Sequence, residues 1–285
     1  STLDDTLQLP TQVSVRRYNE AIGNKIGRII WDQWGAYAAA RHNGSQWLFL
    51  PKGFSSLLKP RGFKLAVYIH DAMHDFYRKN YPGAMSWFEI AYFIECLKAT
   101  LKNADLIFTN SNFSKGELKR LASDFKLELP VVIVAGIGFA RPKDIFYAKR
   151  NSLLLLTSAW PHKLTNQAIG FVERWQKETG FSGNIELVGS IPDGLNLSRF
   201  EGWRHHQRLS EVAYRQFLAE SKILLFISKY EGFGMPPVEA QAVVVPVVVS
   251  RGSSLPEAIG QSGIYIEDPN SVESITLALN KAISL

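Results

Sequence analysis

Glu231 and Glu239 bracket the run Gly232, Phe233, Gly234, Met235, Pro236 and Pro237, directly after an apolar stretch at 223–227. A carboxylate accepts two hydrogen bonds at once, and vicinal hydroxyls are neutral groups whose paired donors fit such an acceptor. Gly232 and Gly234 permit a sharp turn, and the proline pair suits a first helical turn, so Glu239 is expected at a helix N-terminus. The unpartnered amides and the positive dipole end there would receive a phosphate against Gly234 and Met235. Two carboxylates beside an anion cradle suit a ligand that carries both phosphate and ring hydroxyls.

These residues need strands and helices to hold them. The run at 222–228 has the length and β-branched content of a buried strand. Along the chain, apolar runs alternate with helical segments, the pattern of doubly wound α/β layers. In the first half, strands are expected at 46–50, 64–69 and 105–109, with helices at 27–41, 84–102 and 114–124. In the second half, strands are expected at 152–156, 184–188, 222–227, 246–249 and 263–266, with helices at 165–179, 210–220, 236–244 and 271–283. The charged stretch 138–150, with Pro142, reads as a linker, which gives two domains at 1–145 and 146–285.

Composition is compatible with this plan. Of the 285 residues, 46% are hydrophobic, and 17 Phe, 10 Tyr and 7 Trp can build large cores. Cys96 is the only cysteine, so no intrachain disulfide forms, which favours a reducing, cytoplasmic setting. The longest apolar stretches, 131–140 and 242–249, fall short of the roughly 18 to 20 residues that a spanning helix needs, and no signal peptide is visible. The formal charge of +6 lies in residues 1–145, which hold 19 Lys and Arg against 13 Asp and Glu. Acidic residues are interspersed there, so a solvated basic surface competes with peripheral contact to an anionic membrane, and nucleic acid is not expected as a partner.

The spacing of the glutamates around G-F-G-M-P-P resembles glycosyltransferase family four. S-S-L-P-E-A-I-G at 253–260, Gly263 and the D-P at 268–269 look like that family's next strand-loop-helix unit. Upstream, S-A-W-P-H-K-L-T-N at 158–166 resembles the loop that gives the donor diphosphate a basic pair, with Lys163 on the family's lysine and His162 where an arginine is usual. Y-I-H-D at 68–71 looks like the strand-end His-Asp, and T-N-S-N-F-S-K-G-E-L at 109–118 like the serine-rich turn that follows. Ala135 stands where the family has an asparagine. The resemblance covers roughly residues 25–275, and the family's opening strand and glycine-rich loop have no counterpart in residues 1–10.

That resemblance implies the GT-B fold, two Rossmann-like domains facing across a cleft: an acceptor-side domain first, then a nucleotide-sugar-binding one. It implies retaining transfer of a hexose from a nucleotide-diphosphate sugar, UDP-glucose being the first choice and GDP-mannose the second, to a glycan or lipid-linked acceptor in polysaccharide biosynthesis. By analogy Glu231 binds the donor hexose, Glu239 the ribose, and His70 the hexose from the opposite domain, while Lys163 stabilises the leaving diphosphate. Gly232, Phe233, Gly234, Met235, Pro236, Ser158, His162 and Gly189 complete the expected donor site. No metal or resident cofactor is expected: the nucleotide sugar is a co-substrate, UDP a product, and no Asp-x-Asp motif occurs. The setting implied is cytoplasmic, with peripheral contact on the inner membrane face. A nucleotide-sugar-binding protein with weak chemistry, and a GT-B epimerase or phosphorylase, are the competing readings.

Other residues have plainer readings. His70 and His74 in H-D-A-M-H-D could face a metal if helical, but the strand-end context explains His70, and His74 and Asp75 read as solvated loop residues. In G-W-R-H-H at 202–206 the cluster could edge a nucleotide base or form loop surface. The serines at 111 and 114 read as helix caps. Ser158 is either a turn former or a phosphate contact. Cys96 reads as core, and Lys115, Lys119 and Arg120 as a solvated basic helical face.

Overall fold

The computed structural model describes residues 25–59, 62–138 and 149–285. Two wholly parallel sheets organise them. The first takes β1 (Trp47–Leu50), β2 (Lys64–Ile69), β3 (Leu106–Thr109) and β4 (Val131–Val134) in that order. The second takes β5 (Ser152–Thr157), β6 (Asn184–Gly189), β7 (Trp203–His206), β8 (Ile223–Phe226), β9 (Val247–Ser250) and β10 (Ile264–Ile266) in the order β10-β9-β8-β5-β6-β7. The 145/146 boundary and residues 139–148 of the linker expected at 138–150 lie outside the described residues.

The helices are α1 (Lys25–Ile30), α2 (Ala36–His42), α3 (Met73–Asn80), α4 (Trp87–Asn103) and α5 (Asn112–Asp124) in the first half. The second half has α6 (Thr165–Thr179), α7 (Glu211–Glu220), α8 (Met235–Ala242), α9 (Leu255–Ile259) and α10 (Val272–Ile283). The helix expected at 27–41 is interrupted by a π-turn at Trp31–Gly35. There Gly35 lies so close under the Trp31 ring that an added Cβ would fall 2.3 Å from its Cε3. Four further elements were not expected from the sequence. They are β4, α3, α9 and β7, the last built from the W-R-H-H that read as loop.

Strands buried on both faces explain the second half. Ile223, Leu224, Leu225, Phe226, Val247, Val248 and Val249 are all buried. One face packs with α6 and α10 around Trp175, whose indole N–H donates to Asn280 Oδ1 at 2.9 Å. The opposite face packs Ala219, Ala240, Val243 and Leu255 of the α7, α8 and α9 layer. Each fully buried aliphatic side chain contributes roughly 1.5–3 kcal/mol, so the continuous apolar runs leave little choice of where these strands go. In the first half one core holds Leu65, Val67, Leu97, Ile107, Leu118 and Leu121. On the other face of that sheet Trp47, Phe49, Val131 and Ile133 are exposed.

The strand order places the site. In the second sheet β5 pairs with both β6 and β8, so the chain leaves β5 in one direction and returns on its other side. Crevices for ligands open at the carboxyl ends of strands where the order reverses in this way. The loop after β5 carries His162 and Lys163, and the loop after β8 carries Glu231 to Gly234.

Candidate active site

Lys163 and Glu231 come from neighbouring strand ends at this switch point. Lys163 Nζ donates to Glu231 Oε1 at 2.5 Å, and both side chains are largely buried. The ammonium also lies 4.6 Å from the centroid of the Phe226 ring. A charge pair shielded from water needs its hydrogen bonds satisfied, and the backbone of Glu231 is held too. Its N–H donates to Ser253 Oγ at 3.0 Å, and its carbonyl accepts from Ser254 Oγ at 2.9 Å.

The glycines after Glu231 have different reasons to be glycine. Gly234 has φ +94°, a left-handed conformation that favours glycine, and serves as N-cap of α8. Gly232 is needed for closeness: an added Cβ would lie 2.7 Å from the His70 carbonyl oxygen and 2.9 Å from Asp71 Cβ. Thus the loop after β8 presses on the end of β2, and His70 and Glu231 are brought to one place by backbone contact. Pro236 and Pro237 stand in the first turn of α8, where a missing N–H costs nothing. Glu239 is the fifth residue of α8, one turn in rather than at the helix N-terminus as its sequence position implied. Its Oε2 accepts from Tyr214 Oη at 3.3 Å, and burial beside this carboxylate raises the Tyr214 pKa.

His162 does not act as half of a basic pair. It is 5% exposed, and burial, with the neighbouring Lys163 charge, lowers its pKa to about 4. The ring is therefore neutral, and the Tyr77 hydroxyl, from α3 in the other half, donates to Nδ1 at 2.5 Å. Lys163 is the cation of this loop.

Ser158 is a turn former here: its N–H donates to Thr165 Oγ1 at 2.9 Å, its carbonyl accepts from that hydroxyl at 2.7 Å, and its own Oγ accepts from Trp160 N–H at 3.2 Å. Gly189 has φ +119°, and an added Cβ would lie 2.1 Å from the Thr157 carbonyl oxygen. His205 Nε2 donates to the Gly189 carbonyl at 2.7 Å, and His206 Nε2 donates to the buried Glu186 at 2.8 Å. A cavity of about 500 Å³ adjoins this turn, lined in part by Ser158, Trp160, Thr165, Asp193 and Lys229; neither Lys163 nor Glu231 lines it.

In the first half, His70 is exposed at the end of β2, its Nε2 3.3 Å from the Pro51 carbonyl. His74 and Asp75 are not solvated loop residues. They lie in α3: His74 stacks on Phe93 at 4.0 Å, and burial lowers its pKa. Asp75 is fully buried and paired with Arg78, Lys79 and Arg120. Arg120 therefore belongs to an ion-pair network rather than to a free basic face. Cys96 is fully buried. Ser111 caps α5, accepting from Ser114 N–H at 3.0 Å.

Tyr77, Tyr214 and Tyr230 are not singled out in the sequence, and Ser253 and Ser254 stand there only as the start of S-S-L-P-E-A-I-G, with no role. Tyr230 is buried, stacks on Phe76 at 4.5 Å, and its hydroxyl oxygen accepts from Ala72 N–H at 3.0 Å. Its position beside Glu231 was the only available hint.

The profile of the family described as "Glycosyl transferases group 1" matches residues 201–285. Over these residues the chain is similar to the group 1 glycosyltransferases. Among curated relatives, it is 26% identical over 212 residues to the O-antigen chain mannosyltransferase B of Escherichia coli, covering 66% of this chain and 54% of that one. It is 24% identical over 212 residues to the O-antigen chain mannosyltransferase RfbU of Salmonella typhimurium, covering 71% and 58%. The chain thus spans little more than half the length of these two relatives. Among solved structures, sucrose-phosphate synthase from Thermosynechococcus elongatus superposes with a TM-score of 0.64 at 14% identity, over 87% of this chain and 66% of that one. The pneumococcal O-GlcNAc transferase GtfA, solved in complex with UDP and GlcNAc, gives 0.57 at 15% identity, over 79% and 46%. These likenesses show the fold alone, two Rossmann-like halves of the GT-B kind.

Proposed function

We propose that this chain transfers a hexosyl unit, with retention of anomeric configuration, from a nucleotide-diphosphate sugar to a glycan or lipid-linked acceptor in polysaccharide assembly. The Lys163–Glu231 pair at the switch point carries this reading. As the glycosidic bond to the diphosphate breaks, positive charge develops on the sugar ring and negative charge on the leaving group. Lys163 and the amides around Gly234 and Met235 stabilise the leaving oxygens, with the positive end of the α8 dipole behind them. Glu231 holds hexose hydroxyls, Glu239 the ribose, and His70 approaches the hexose from the other half. No metal takes part in this scheme.

The named relatives are mannosyltransferases, which supports a nucleotide-diphosphate mannose such as GDP-mannose as the donor, with UDP-glucose as the competitor. Among the described residues no helix is long and apolar enough to cross a membrane, and we place the protein in the cytoplasm, with the basic first half meeting an anionic membrane face. A second reading, donor binding with weak turnover, draws on the neutral His162 where the family has a cation.

Incubating the purified chain with each nucleotide sugar and mannan or glycolipid acceptors, with and without EDTA, tests the proposal. We expect nucleotide release and an α-linked product from an α-configured donor, unchanged by EDTA. Binding without product supports the second reading. No binding of any nucleotide sugar sinks both.

A further inference from the structure

The N-terminus of α5 is where the two halves meet beside the candidate site. Ser114 Oγ lies 3.0 Å from the His70 carbonyl and 3.2 Å from the Gly232 carbonyl. One hydroxyl has one proton, and the neighbouring Ser111 Oγ resolves the division, since it lies 2.8 Å from the Gly232 carbonyl. Ser111 therefore donates to Gly232, Ser114 donates to His70, and the Ser114 N–H closes the circuit onto Ser111 Oγ. Both serines and Gly232 are buried, so loss of a hydroxyl leaves the Gly232 carbonyl short of a donor and removes the bond that holds the His70 carbonyl. On the outer side, Glu257 from α9 accepts from Asn112 N–H and Asn112 Nδ2 at 2.8 and 2.7 Å, and from Phe113 N–H at 3.2 Å. A carboxylate of the second half thus caps a helix of the first half.

The two carbonyls so held belong to His70 itself and to the residue after Glu231. We infer that Ser114 is a positioning residue, fixing the His70 end of β2 against the Glu231 loop so that groups from both halves address one sugar ring. This rests on the transfer reading above. The hydroxyl touches no substrate; it sets the distance between groups that do. Lys163, Glu231 and Glu239, which hold the diphosphate, hexose and ribose, belong to the second half, so loosening the tie leaves most of the donor affinity in place while His70 loses its alignment on the sugar.

The test compares wild type with Ser114→Ala. Misplacement of about 1 Å at a reacting centre costs on the order of 100-fold, so kcat is expected to fall roughly 10- to 100-fold with the donor dissociation constant within about twofold. An unchanged kcat, or donor affinity falling in step with kcat, overturns the inference. Glu257→Gln, at an exposed position, serves if Ser114→Ala does not fold: a kcat loss of about threefold or more at unchanged donor affinity supports the tie, and none overturns it. If wild type turns over no nucleotide sugar, the transfer reading fails by itself. The tie is then read from amide hydrogen exchange, which should rise together at 70–72 and 230–234 in the folded variant. Exchange unchanged in either loop sinks it.

Discussion

Tyr77 Oη and His162 Nδ1 meet at 2.5 Å, although 85 residues separate them and they belong to different halves. The imidazole is buried and neutral, its pKa lowered to about 4. The unfolded chain takes up a proton near pH 6.5 that the folded chain refuses, so stability falls as pH drops from about 6.5 to 4 and is complete above that window. We expect His162→Gln to flatten this part of the stability curve, by on the order of 2 kcal/mol at pH 4.5, in urea unfolding followed across pH. Equal slopes for the two proteins would show that the ring titrates freely.

Lys163→Ala removes the cation expected at the leaving diphosphate and leaves Glu231 without its partner. Transfer should fall at least 100-fold, since loss of one transition-state donor costs about 2.7–4 kcal/mol. Glu231→Ala should be comparably damaging. Steady-state rates with the preferred donor check both, and near-wild-type turnover in Glu231→Ala would falsify its placement at the sugar.

Gly232→Ala forces a Cβ to 2.7 Å from the His70 carbonyl, a backbone atom that cannot rotate aside. The two loops must part, so activity should drop while each half keeps its own core. Gly234→Ala acts differently, through a left-handed φ of +94° that costs roughly 1–2 kcal/mol. Melting curves separate the cases: the larger loss of rate at the smaller loss of stability belongs to position 232.

Tyr214→Phe deletes the hydroxyl that donates to Glu239. A single such bond contributes about 0.5–1.5 kcal/mol, so donor binding should weaken roughly two- to tenfold with kcat little changed. Titration calorimetry with the nucleoside diphosphate alone measures this, and an unaltered affinity would remove Glu239 from the ribose.

Residues 223–227, 247–249 and 152–156 announced their strands because continuous apolar runs of that length have one low-energy destination, the middle of a parallel sheet. The Glu231 to Glu239 motif was legible for a related reason: glycine and proline are demanded by backbone geometry that is local in sequence. Asp75, His74 and the 203–206 strand misled, since short polar runs are ordinary loop in composition and became ordered elements only through contact with Arg120, Phe93 and β6.

What the chain alone determined was the alternation of strands and helices, the turn at Gly234, and which side chains could bear charge or accept paired hydroxyls. Only the tertiary structure decided that Lys163 meets Glu231, that His162 is silenced by Tyr77, and that Ser114 spans His70 and Gly232. The reason is physical: a turn is fixed by torsions of adjacent residues, whereas these contacts join segments whose approach is set by the packing of two sheets. No local pattern encodes the distance between strand ends that the chain visits 40 to 160 residues apart.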